Sequence, residues 1–246
     1  MLKIITLITK FIVVTLIALF LGSCNRMVGL KSIVGSRNVT TENRTVQGDF
    51  KSVSVNNAID LVIEQSDKTE IIVEADDNLQ KEITTTVANG VLVITCNYSN
   101  FVNVASKKVT VKMPVIEELE ATTTATINSK SILRGSNLSL VSSSAATIHA
   151  EVEYETIQLT SSSASDQTIK GKALHLETAA SSASVINATD LLANEVVANS
   201  TSAASIQVHP IVSLKAEASS SGEIVYNGTP KSIQKEENSG GSVDKE

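Results

Sequence analysis

Carboxylates at regular spacing are the first side chains in this sequence that could do chemistry. Glu151, Glu153 and Glu155 alternate along one short stretch. In an extended strand they share one face, with successive members about 6.6 Å apart. That is within the roughly 5–9 Å that separates the acid and base of a glycosidase. A hydrolytic pair must also flank a groove, and three carboxylates along one strand face read as a solvated outer surface. The other acids of this region, Asp166, Glu177, Asp190, Glu195, Glu217 and Glu223, are scattered. Asp76 and Asp77 offer oxygens to calcium, but the series of spaced oxygen ligands that a calcium loop needs does not follow them. His149, His175 and His209 are single residues at unmatched places. The sequence has no HExxH, no glycine-rich phosphate loop and no Ser–His–Asp context. No catalytic residue, metal ligand or cofactor is therefore assigned, and a polysaccharide-acting enzyme stands as a remote alternative.

The two cysteines carry different chemistry. Lys3 and Lys10 flank or interrupt an apolar stretch from Ile4 to Leu21, which ends in Leu21-Gly22-Ser23-Cys24. The stretch has the roughly 20 residues that span a bilayer, but small residues before a cut site mark a secretory signal peptide over residues 1–23. Cysteine at the first mature position resembles a bacterial lipobox, which implies acylation of Cys24. Several acyl chains, at about 0.8 kcal/mol per buried CH₂, hold a protein on a membrane essentially permanently. Cys96, in Val91-Leu-Val-Ile-Thr-Cys96, then has no partner within the chain and reads as a small buried apolar side chain. Residues 1–23 carry two of the 20 basic residues and none of the 26 acidic ones, so the remainder has a formal charge of −8. An acidic chain without a basic cluster is unsuited to nucleic acid. The absence of tryptophan disfavours saccharide stacking.

The elements that would position any site come from a repeat. Leu119, Leu138, Ile157, Leu174, Val196 and Leu214 each lead an apolar stretch into a Ser/Thr/Ala cluster closed by a β-branched residue or an alanine. A period near 20 residues is that of a unit that buries its apolar face only by stacking on its neighbours. Stacked coils at about 4.8 Å would form continuous interior columns. Ala145, Ala164, Ala183 and Ala203 are expected at a narrow interior corner, where a charge at Ala164 would be costly. Serine and threonine beside them are expected to ladder their hydroxyls or bond the turning backbone. Residues 24–43 read as a tether. From Arg44 to Met113 the chain is strand-like, with a turn at Asn56-Asn57 and a hairpin turn at Asn89-Gly90. Beyond Pro230, residues 231–246 are rich in Lys, Glu, Ser and Gly and read as disordered. No amphipathic helix is expected.

Over residues 44–230 the chain resembles the "putative auto-transporter adhesin, head GIN domain" family, common in secreted and lipid-anchored proteins of Bacteroidetes. Arg44-Thr-Val-Gln-Gly-Asp-Phe50, Val73-Glu-Ala-Asp-Asp-Asn-Leu79 and Asn89-Gly-Val-Leu92 look like its successive landmarks. Ile127-Asn128, Ile186-Asn187 and Tyr226-Asn-Gly-Thr-Pro230 match its later elements. Family members usually place glycines in the serine clusters, whereas here only Ser221-Gly222 retains one. The resemblance implies an all-β fold, a right-handed parallel β-helix of short strands. It implies a lipid-anchored binding or adhesion module in the bacterial cell envelope, presenting an extended face to a protein or glycan. A structural periplasmic protein without a small ligand is the alternative. Acidic residues soon after the cysteine direct many such lipoproteins to the cell surface; residues 25–30 have none, a slight lean toward the periplasmic face of the outer membrane that leaves periplasmic and surface faces both open. Cys24→Ser should abolish acylation, and metabolic palmitate labelling that persists in this variant would contradict the lipobox reading.

Overall fold

Strand alternation governs nearly the whole chain. The computed structural model describes residues 31–246; the signal peptide, Cys24 and the start of the tether lie outside the described residues. The strands of the amino-terminal part are β1 (Ser32–Val34), β2 (Val39–Arg44), β3 (Ser52–Val55), β4 (Asp60–Gln65), β5 (Glu70–Asp76), β6 (Ile83–Ala88), β7 (Val91–Cys96), β8 (Asn100–Val102) and β9 (Lys107–Met113). Those of the repeats are β10 (Glu118–Ala121), β11 (Thr126–Ser129), β12 (Leu133–Ser142), β13 (Thr147–Ser161), β14 (Asp166–Ala180), β15 (Val185–Thr201), β16 (Ser205–Ser219), β17 (Glu223–Tyr226), β18 (Ser232–Glu237) and β19 (Ser242–Lys245). From β10 onward every pairing is parallel, coil upon coil, so the chain is a β-solenoid with two sheets facing each other. No helix occurs among the described residues.

In-register stacking builds the interior from columns. Leu119, Leu140, Leu159, Thr178, Ala198 and Ala216 stack on one sheet. Ile127, Ile148, Gln167, Ile186, Ile206, Ile224 and Val243 stack on the other. The β-branched residues that close most of the serine clusters are therefore the second interior column, apart from Gln167, and all of its members are buried.

The serine clusters themselves make the narrow edge. Each coil reverses through two consecutive residues with positive φ: Thr123-Thr124, Ser144-Ala145, Ser163-Ala164, Ser182-Ala183, Ser202-Ala203 and Ser220-Ser221. A bond such as Ala146 N–H to the Ser143 carbonyl (3.2 Å) closes each turn. The turns also bond to one another, because Ala145, Ala164 and Ala183 donate to the carbonyls of Ser163, Ser182 and Ser202, each at 3.0 Å. This overturns the interior placement of Ala145, Ala164, Ala183 and Ala203, which are exposed at the turn tips. The inward places belong to the residues either side, such as Ser142 and Ala146. A charge at Ala164 consequently meets water rather than a dry column.

Two boundaries also differ from the sequence reading. Residues 31–43 are not all tether, since β2 pairs antiparallel with β5 and β1 pairs with β8. The tail is not disordered: β18 stacks on β16, and β19 on β17. Its polar composition serves the end of the stack. The inward places filled by Ala216 and Ala218 one coil below are taken by Lys235 and Glu237. Lys235 Nζ donates to the Val243 carbonyl (2.7 Å) and Glu237 Oε1 accepts from the Val243 N–H (2.8 Å). Lys235 also lies 4.9 Å from the centre of the Tyr226 ring. Two charged side chains thus close the open end that alanines would leave.

At the other end, β6–β7–β3 continues one sheet and β2–β5–β9–β4 the other. The Asn89-Gly90 hairpin forms as expected, with Ala88 opposite Val91. The earlier turn falls one residue later than expected, at Asn57-Ala58. Cys96 is buried, and burial pushes its thiol above the ordinary value.

Left-handed backbone costs an L-residue roughly 1–2 kcal/mol, and a β-branched residue is unusual there. Thr124→Gly should therefore stabilise the protein by about 1 kcal/mol, raising Tm by about 2–4 °C. A lowered Tm would contradict the turn geometry.

Candidate binding surface

The residues with chemical potential do not converge. Glu151, Glu153 and Glu155 line the outer face of β13, and Glu153 accepts from Arg134 Nε at 2.9 Å. His149 is exposed, His175 Nδ1 lies 3.1 Å from Glu195 Oε2, and His209 Nδ1 lies 3.2 Å from the Thr189 carbonyl. Among the described residues no group of three His, Cys, Asp or Glu side chains is placed to hold a metal ion. Asp76 is fully buried and does structural work. Its Oδ1 accepts from the N–H groups of Ala105 (3.0 Å) and Ser106 (2.9 Å), and its Oδ2 from Arg37 (2.8 Å). One carboxylate thereby ties the loops before β2 and β9 to the end of β5. Neighbouring Asp77 is bonded by the Ser36 and Asn38 side chains, which hold its carboxyl below the usual range.

The opposite, wide edge of the solenoid is less regular. Here β13, β14, β15 and β16 bend from one sheet to the other, with Tyr154, Ala173, Ala193 and Pro210 in register. The bend begins with an aromatic anchor. The Tyr154 ring covers Gly135, where a Cβ would come within 2.5 Å of Cε1. The Tyr154 hydroxyl donates to the Ile116 carbonyl at 3.0 Å. Burial pushes this phenol up to about 12, so it stays a donor at any physiological pH. Further along, Gly171 has φ +125° and a Cβ there would sit 1.9 Å from the Val152 carbonyl oxygen, so the chain passes only as glycine. Register slips follow, between Thr168 and Gly171 and between Ala188 and Leu192. These slips make the spacing of the coils uneven across β15 and β16.

The result is an open cleft of about 550 Å³ that runs from β12 to β16. Its apolar wall is Leu174, Leu192 and Ile211, which are 48%, 38% and 45% exposed. Glu153, Glu155, Lys172 and Asn194 form a polar rim. Grouped exposed aliphatic residues with a polar rim are the usual signature of an interaction site. By sequence Leu174 is the apolar lead of its repeat. The interior column instead runs Leu138, Ile157, Leu176, Val196, Leu214, all buried. The alternation Leu174-His-Leu176 is equally apolar at both ends, but only Leu176 keeps the interval of 19 residues that separates Leu138 from Ile157, and that spacing is the signal that leaves Leu174 facing out.

A family model described as "Putative auto-transporter adhesin, head GIN domain" matches residues 49–230. A solved "putative adhesin" from Bacteroides fragilis superposes with a TM-score of 0.80 at 20% identity, over 87% of this chain and 100% of that one. One from Parabacteroides merdae gives 0.71 at 21% identity, over 87% and 99%. A "putative lipid binding protein" from Parabacteroides distasonis gives 0.71 at 21% identity, over 88% and 100%. A search of curated proteins gave no match.

Proposed function

Because the chain belongs to the auto-transporter adhesin head GIN family, we propose that it is a lipid-anchored binding module of the bacterial cell envelope, attached to the outer membrane through Cys24 and engaging a protein partner at the wide-edge cleft. Family membership supports the adhesive role and the envelope location. The observation that carries the choice of partner is the row Leu174, Leu192, Ile211. Aliphatic side chains in a shallow cleft match apolar residues of a protein. A glycan held by stacking would need an exposed aromatic platform, and the one aromatic side chain in the lining, Tyr154, is buried. The rigid solenoid holds these residues in fixed register over several coils, which lowers the ordering cost of binding.

The test is retention of the protein on a panel of extracellular matrix proteins and glycans, beside a Leu174→Asp/Ile211→Asp variant. Both residues are about half exposed, so Tm should change little. Binding to at least one protein should weaken tenfold or more, about 1.4 kcal/mol or above. Equal binding by the variant, or retention on glycans alone, would contradict the assignment.

A further inference from the structure

The four outermost strands of the two sheets differ in how they treat their free edges. On β2 the edge carries Glu42 and Arg44, on β18 Lys235, Glu236 and Glu237, and on β19 Asp244 and Lys245. Charges of this kind keep sheet edges from pairing with other chains. The fourth strand, β6, reads Ile83-Thr-Thr-Thr-Val-Ala88, without a charge or proline. Among the described residues β6 pairs only with β7. Its two-residue hairpin makes Ala88–Val91 a hydrogen-bonded pair, and by alternation Thr86–Val93 and Thr84–Thr95 as well. The N–H and C=O groups of Thr85 and Val87 therefore point away from β7, as does the C=O of Ile83, whose N–H is held by the Leu79 carbonyl (3.0 Å).

We propose that this edge is a self-association surface, on which β6 of a second copy docks antiparallel with Thr85 on the two-fold axis. The strand is complementary to itself in that register. Thr85 faces Thr85 of the second copy, exchanging N–H···O=C bonds. Thr84 faces Thr86 twice, and Ile83 faces Val87 twice, so each cross-strand pair is Thr–Thr or aliphatic–aliphatic, the combinations that stabilise adjacent strands. None of the other three strands can do this without placing charges at the seam. The two solenoids then meet cap to cap, the β6–β7–β3 sheet runs on across the axis, and both wide-edge clefts stay free. Two clefts in one particle raise retention on a surface by avidity, without any new contact to the partner.

Disulfide trapping of the full chain in the membranes of producing cells tests this. Directly opposed, hydrogen-bonded residues have Cα atoms about 5.5 Å apart, within disulfide range. Under mild oxidation Thr85→Cys should run mainly at dimer mass on a non-reducing gel. The wild type, with Cys96 buried, and Thr41→Cys on the β2 edge should stay at monomer mass. Adding Thr84→Lys/Thr86→Lys to Thr85→Cys opposes like charges across the seam and should cut trapping about tenfold with Tm unchanged. Monomer-mass Thr85→Cys that reacts with maleimide would show an open edge and overturn the proposal. Monomer mass with a shielded thiol would overturn it too, since another protein or residues 24–30 of the same chain would then cover the edge.

Discussion

The two-residue left-handed turn at the narrow edge decides where every other side chain of the solenoid points. A strand alternates with period two, and an insertion of one residue at a turn would swap core and surface for the whole next coil. Here each turn spends two residues at positive φ, and Ser142 before it and Ala146 after it both face inward. The coil-to-coil bonds between turns, such as Ala164 N–H to the Ser182 carbonyl at 3.0 Å, keep the register from drifting along the stack. Glycine would suit these places without strain. This chain places alanine, serine and threonine there and offsets the strain through the stacked bonds.

The narrow edge also explains the polar interior. Next to a tight turn only small side chains fit, and several of them are serines. Ser142, Ser161 and Ser165 form a closed set of hydroxyl contacts at 2.8–3.1 Å, and Ser165 also reaches the Ser142 and Ser162 carbonyls. Gln167 joins from the opposite sheet, its Nε2 donating to the Thr160 carbonyl (2.8 Å) and to Ser142 Oγ (3.0 Å), which leaves its Oε1 the buried acceptor without a partner. Paired hydroxyls cost little to bury, so a slim core of aliphatic residues, alanine and serine suffices with one buried aromatic anchor in the repeats before Tyr226.

The repeat, the parallel stacking, the Asn89-Gly90 hairpin and the aliphatic interior were all legible from spacing and alternation. The orientation at the turns was not. In a run such as Ser142-Ser-Ser-Ala-Ala146, side chains are too similar in size and polarity for a pattern to mark the tip. Leu174 was hidden by an equally apolar Leu176 two residues on, and only the even interval from Ile157 to Leu176 marks which of the two faces in. Residues 231–246 misled for another reason: Lys235 and Glu237 read as free charges in sequence and do stay exposed, and only their register with Ala216 and Ala218 and their bonds to Val243 show that they lie over the end of the stack. Asp76 was visible as a carboxylate, but its three backbone partners come from Arg37, Ala105 and Ser106, remote in sequence.

The register of the turn ladder is the claim on which the exposed cleft, the interior columns and the free edges all rest. Amide hydrogen exchange resolved to single residues tests it most directly. Ala145, Ala164, Ala183 and Ala203 carry exposed side chains but hydrogen-bonded N–H groups, so their amides should exchange as slowly as those of Ile148 and Ile186 in the core strands. Exchange as fast as that of the loop residues Gly48 and Gly228 would show that the turns are not bonded to one another, and the register would have to be abandoned.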